Sequence, residues 1–171
     1  MPPLFEDEAE LVPLYQEPGT GDSRTLRLAS PQLDDAQLEA LVRYQQAFLA
    51  HAEPRRPAGP VPASLITEAH EAGLGASGLD VKAVERGSAL LRAFAGRRWT
   101  LQRVRTRYGE LQAEQTPRAA EQRARVEEEL ARLESLQELE QRHGPELISR
   151  LLAREAELVD LHARLGALLQ G

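Results

Sequence analysis

The distribution of proline divides this chain into segments that can be helical and segments that cannot. Four prolines fall within residues 53–62, a density that forbids a continuous helix because proline lacks an amide hydrogen and clashes with the preceding turn. No proline occurs in residues 79–114. Pro117 and Pro145 stand where first helical residues are expected, since the amide hydrogen is not needed there. The chain is therefore predicted to contain long helices bounded by these prolines.

Apolar residues recur at helical spacing between the proline breaks. We predict helices at 31–52, 64–73, 79–114, 117–142 and 145–169. Ser30 is the predicted N-cap of the first helix, and the glycines from Gly73 onward are expected to end the short second one. Short connections force neighbouring helices to run antiparallel. The predicted fold is all-α: an antiparallel four-helix bundle with long helices, one additional short helix and an extended N-terminal arm.

The composition of the chain indicates how its core is built. Aromatic residues make up only 4% of the sequence, so leucine, valine and alanine must supply the interior, as suits helix-on-helix packing. The predicted core includes Leu130, Leu133, Leu151, Leu158 and Leu165. The last helix has the broadest apolar surface, so we expect it to be the most buried helix or a face for self-association.

Two regions follow from these patterns. Residues 1–30 are acidic and rich in proline, which predicts an extended arm that packs on the helices or is captured by a partner. Residues 31–171 are predicted to form the helical bundle domain, with a proline-rich connection at 53–63.

Several classes of protein are disfavoured by composition. The chain has no cysteine, which excludes disulfides and thiolate metal sites. It shows no secretory signal and no run of about 18 apolar residues, so a soluble cytoplasmic protein is expected. Lys82 is the only lysine among 21 basic residues, an arginine bias that weakly indicates a bacterial source with a GC-rich genome.

A concentration of positive charge lies in residues 82–107, where Glu85 is the only acid. The candidate binding residues in this stretch are Arg97, Arg98, Trp99, Arg103, Arg105 and Arg107. Such a helix could bind phosphates and stack a base on its tryptophan, or lie on an anionic membrane surface. The whole chain has a net charge of −6, however, and the next helix is rich in glutamate. Neutralisation within the bundle, notably by Glu127, Glu128, Glu134 and Glu138, is the favoured interpretation.

No complete catalytic or metal-binding pattern can be assembled. Glu140 and His143 have the Glu-x-x-His spacing of di-iron bundles, but no second such motif occurs, and His143 is instead expected to interact with the last carbonyls of its helix. The G-x-G-x-x-G match at 73–78 follows a helix rather than a strand. A turn at 69–74 similar to that of a helix-turn-helix lacks the apolar residues that motif needs. We therefore assign no catalytic, cofactor-binding or metal-binding residue, and we expect a protein that is not an enzyme.

Two classes of function remain. The first is a protein–protein interaction, adaptor or self-association module, whose partner is another protein or a second copy of the chain. The alternative is a binder of an anionic partner, nucleic acid or membrane surface, through the arginine-rich helix at 82–107. No small-molecule substrate is indicated.

Overall fold

The computed structural model describes residues 33–170, and this part of the chain contains helices and no strand. The α-helices are α1 (Asp35–Ala52), α2 (Ala63–Ser77), α3 (Val81–Ala113), α4 (Pro117–Glu134), α5 (Gln137–His143), α6 (Pro145–Ala153) and α7 (Glu155–Gln170), and a 3₁₀ turn, Glu53–Arg55, follows α1. The all-α prediction is confirmed. The predicted arm at 1–30 lies outside the described residues.

Side-chain caps set where the long helices begin. The Asp80 carboxylate accepts from the Ala83 amide at 2.7 Å, and Thr116 caps α4 in the same way, as its position before Pro117 predicts. The predicted start of the first helix at residue 31 is wrong, because α1 begins after Asp34. Asp34 accepts from the Gln37 amide, and the Gln37 side chain accepts from the Asp34 amide. This reciprocal pair satisfies two amide hydrogens at the new start.

Helix α2 is longer than its predicted range of 64–73. It begins after Pro62 and continues through Gly73 and Gly75 to Ser77. The helix ends only at Gly78, which has the left-handed φ of 70° that favours glycine. Gly73 has a different role, because a β-carbon there would lie 2.5 Å from the ring of Tyr44. The absence of a side chain at Gly73 thus allows α2 to approach α1 closely.

Both of the last two predicted helices are interrupted. The predicted helix at 117–142 is divided because Ser135 adopts an extended backbone (φ −70°, ψ 123°), which ends α4 before α5 begins. The predicted helix at 145–169 is divided at Arg154, whose φ of −117° and ψ of 20° depart from helical values. The predicted break between them is confirmed: α5 ends at His143, Gly144 follows with a φ of 91°, and Pro145 starts α6.

Polar contacts between helices give the direction in which the helices run. Arg154, just before α7, pairs with Glu39 of α1, and Arg164 of α7 pairs with Glu53, just after α1. Because the later residue of α7 contacts the later residue near α1, α7 runs parallel to α1. Helix α4 runs antiparallel to α3, since Arg97 reaches the Arg132 carbonyl near the end of α4 whereas Arg123, earlier in α4, donates to the Leu111 carbonyl. Helix α2 packs on α1, and α3 packs on both α1 and α7. The antiparallel four-helix bundle is therefore not confirmed.

The apolar core lies among α1, α2, α3, α6 and α7. Of the predicted core residues, Leu133, Leu151 and Leu158 are buried. Leu165 is half-buried against the core, and Leu130 is half-buried outside it. Leu130 is less covered than predicted because α4 packs mainly along one neighbour, α3, and two helices alone leave part of each apolar face open.

Candidate binding groove and the arginine-rich helix

Four of the candidate arginines on α3 have polar partners within the described residues. Arg98 donates to Glu155 of α7 at 2.6 Å, and its side chain is only 12% exposed. Arg97 donates to the Arg132 carbonyl at 2.5 Å. Arg105 pairs with Glu134 at 3.3 Å, and Arg107 pairs with Glu110 at 3.2 Å. These four side chains are therefore not presented together as a free basic surface.

The remaining two candidate residues contact each other. The guanidinium carbon of Arg103 lies 4.7 Å from the centroid of the Trp99 ring, a distance that allows a cation–π interaction. The Trp99 ring also meets the His162 ring edge-on, with centroids 6.1 Å apart. Since one face of Trp99 is covered by Arg103, a nucleic acid base would have to displace this contact in order to stack there.

The predicted neutralisation of the α3 arginines by glutamates of α4 and α5 is only partly seen. Glu134 pairs with Arg105, whereas Glu138 lies 3.9 Å from Arg142 within α5. Glu127 accepts a hydrogen bond from the hydroxyl of Tyr108 at 2.7 Å, an interaction that raises the pKa of Tyr108. No ion pair of Glu128 occurs within residues 33–170. The shortest ion pair of α3 within the described residues is instead made with Glu155, at the start of α7, which the sequence pattern did not indicate.

Each histidine has a separate environment. His51 of α1 contacts the Glu68 carboxylate of α2 at 3.1 Å. His70 of α2 is hydrogen-bonded to the hydroxyl of Tyr44 of α1 at 2.6 Å. Both histidines therefore join α1 to α2. The predicted contact of His143 with helix carbonyls is not observed for Nδ1, which is buried without a hydrogen-bond partner in the described structure. Burial and the neighbouring Arg142 lower the pKa of His143. Within residues 33–170 no three potential ligands of the His, Cys, Asp or Glu type are grouped to hold a metal ion.

A groove that the sequence analysis did not identify lies among α1, α3 and α7. Its volume is about 350 Å³. The residues that line it are Tyr44, Gln45 and Phe48 of α1, Ser88, Leu91, Arg92 and Ala95 of α3, and Leu158, His162, Leu165, Gly166, Leu169 and Gln170 of α7. We call this site the α1/α3/α7 groove. Its lining is mainly apolar and contains no carboxylate.

Burial distinguishes the floor of the groove from its rim. The α1 residues are buried, as are Leu91 and Leu158, so they form the floor. The rim consists of α3 and α7 residues that solvent reaches, and Leu169 is the most notable because 59% of its surface is exposed. The groove thus opens to solvent between α3 and α7.

The electrostatics of the groove are set by Arg92. This arginine is exposed and forms no ion pair with any other described residue. His162 is a weaker base than usual, because burial and, to a smaller extent, Arg92 lower its pKa. Burial raises the pKa of Tyr44. At neutral pH the lining therefore has one fixed positive charge, on Arg92, and no negative charge.

Two features of the sequence could have indicated this groove. Small residues stand one turn from its polar ones, Ser88 before Arg92 and Gly166 after His162. The apolar surface of the last helix is also broader than one packing face requires. Neither feature gives the position of the groove, because that depends on which helices meet.

Comparison of the chain with protein-family models, curated proteins and solved structures found no match. Among the helices of the described range, none has both the length and the apolar character needed to cross a bilayer.

Proposed function

We propose that this protein is a non-enzymatic interaction module that binds a partner protein in the α1/α3/α7 groove. The observation that carries this proposal is the exposure of Leu169 on the rim of a mainly apolar groove. Covering such a side chain removes apolar surface from water, which favours association by roughly 25 cal/mol per Å². The groove therefore offers a favourable contact that the described part of the chain leaves open.

The rim favours a protein over a small molecule as the occupant. A small ligand is usually enclosed by its site, and the apolar contacts lie inside the cavity. Leu169 lies at the mouth and is more than half exposed, so only an occupant that extends beyond the groove would cover it. Interaction surfaces of proteins typically combine an apolar centre with a polar rim, which here is formed by Ser88, Arg92 and Gln170.

The alternative is an anionic partner, nucleic acid or membrane surface, bound by the arginine-rich helix. Arg92 and Arg103 support it, because neither has an ion pair within the described range. It is the weaker proposal, since Arg97, Arg98 and Arg105 are already bound to other parts of the chain.

The proposed function is tested with a synthetic helical peptide that has leucines at positions i, i+4 and i+7 and glutamine at its other exposed positions. Binding is measured by calorimetry and by fluorescence of Trp99, the only tryptophan of the chain, which contacts the groove residue His162. Leu169→Gln should weaken binding about fivefold, because covering roughly half a leucine contributes about 1 kcal/mol.

Val81→Gln is the matched control. Val81 is also an exposed apolar residue, at 47%, but it does not line the groove. Its substitution should leave peptide affinity unchanged. Equal affinities for the two variants, or no binding of the peptide to the unmodified protein, would contradict the proposal.

A further inference from the structure

The geometry of the groove points to the chemical nature of its partner: we infer that the bound segment is an acidic amphipathic helix. Its apolar face would fill the α1/α3/α7 groove, and its carboxylates would pair with Arg92. This inference rests on the proposed function, and goes further by naming the charge and the secondary structure of the occupant.

Charge complementarity selects an acidic partner. From Ser88 to Trp99, the part of α3 beside the groove contains no acid. On α7, the only acid between Leu158 and Gln170 is Asp160, which faces Arg164 at 3.7 Å and does not line the groove. In a chain with a net charge of −6, the rim is thus locally positive. A carboxylate placed beside Arg92 gains a charge-assisted hydrogen bond, whereas a lysine would be repelled.

The positive charge continues along the same face of α3. Arg103 follows Arg92 by eleven residues, which is close to three full turns, so the two arginines project in nearly the same direction. Arg103 lies over Trp99, and Trp99 contacts His162 on the groove rim. An occupant longer than the groove would therefore meet a second cation beyond its end.

The length of the groove along α7 accommodates a short helix. On α7 the rim residues His162, Gly166 and Leu169 have the spacing i, i+4, i+7, which corresponds to about 10 Å along the axis. Helix α3 forms the opposite wall of the groove, through Ser88, Arg92 and Ala95. Two turns of an amphipathic helix match this length, and its anchors would repeat at the same spacing.

The experiment compares three peptides of about 14 residues that share the leucine pattern and span about 20 Å as helices. Their flanking exposed positions are all glutamate, all glutamine or all lysine. Affinities are measured by calorimetry for the unmodified chain, Arg92→Gln, Arg92→Glu and the control Arg86→Glu. Arg86 is an exposed arginine of α3 that does not line the groove. Circular dichroism establishes that each variant is folded.

We expect the glutamate peptide to bind best. Arg92→Gln should lower its affinity roughly three- to tenfold, the scale of one partly screened charge-assisted contact, without changing binding of the glutamine peptide. Arg92→Glu should reverse the preference towards the lysine peptide, whereas Arg86→Glu should not.

Two outcomes would overturn the inference, and each is distinct from failure of the proposed function. If all three peptides bind equally and Arg92→Gln has no effect, the groove binds protein segments without the charge preference. If sedimentation shows a dimer that Leu169→Gln dissociates, the occupant is a second copy of this chain. If none of the peptides binds, both the inference and the proposed function fail.

Discussion

The close approach of α2 to α1 can be tested with two glycines of the same helix. Gly73 and Gly75 both lie in the interior of α2, where replacing glycine by alanine normally stabilises a helix by about 1 kcal/mol. A β-carbon at Gly75 would meet no atom within 4 Å. At Gly73 it would lie 2.5 and 2.6 Å from two ring carbons of Tyr44 and 3.0 Å from the Tyr44 carbonyl oxygen. The gain in helix propensity is common to both substitutions. The difference between their free energies of unfolding therefore isolates the cost of the contact with Tyr44.

The Tyr44 ring has little freedom to move away. Its hydroxyl is hydrogen-bonded to His70 at 2.6 Å, and its ring packs against Phe48 with centroids 6.2 Å apart. Overpacking of this kind costs roughly 1–3 kcal/mol. Gly75→Ala should therefore raise the free energy of unfolding by about 0.5–1 kcal/mol. The free energy of unfolding of Gly73→Ala should be lower than that of Gly75→Ala by about 1–3 kcal/mol.

Urea denaturation followed by far-UV circular dichroism measures both variants against the unmodified chain. Equal m-values are required, so that the difference in midpoint reports stability alone. If the two variants agree within about 0.5 kcal/mol, the ring of Tyr44 yields without cost and the proposed role of Gly73 is wrong.

Three further predictions follow from burial, titration and charge. Leu158→Ala should destabilise the protein by about 2–5 kcal/mol, because Leu158 is 1% exposed and truncating its side chain leaves a cavity. The control Leu152→Ala should lose clearly less stability, because Leu152 is 37% exposed. Equal urea midpoints for the two variants would show that Leu158 is not part of the core. Stability should fall as the pH drops from 6.5 towards 5, because burial lowers the pKa values of folded His143 and His162 below 6.5, so the unfolded chain binds more protons in that interval. Replacing both histidines by glutamine should flatten the dependence of the urea midpoint on pH in this interval, and an unchanged slope would mean that other groups cause it. Duplex or single-stranded DNA should bind more weakly than micromolar at about 150 mM salt. Tight, salt-sensitive binding that Arg103→Glu abolishes would instead favour the alternative function.

Local chemistry explains which parts of the fold could be predicted from the sequence. Proline and the side-chain caps act within one helical turn, so the start of α4 follows from Thr116 with Pro117. The break before α6 follows in the same way from Gly144 and Pro145. The predicted start of α3 at residue 79 is two residues early, because Asp80 caps a helix that begins at Val81. The all-α class follows from the apolar periodicity between these positions.

The tertiary structure decided what depends on residues far apart in the sequence. Gly73 looks like a helix terminator until Tyr44 of α1 is seen to occupy the space of its missing side chain. Arg98 could have paired with the nearby acidic helix, yet it pairs with Glu155, fifty-seven positions away. The α1/α3/α7 groove exists because α7 runs parallel to α1 and beside α3, which brings Arg92, His162 and Leu169 to one rim. Helix propensity and capping carry no information about which helices meet, since that choice depends on how the apolar faces of the whole chain pack.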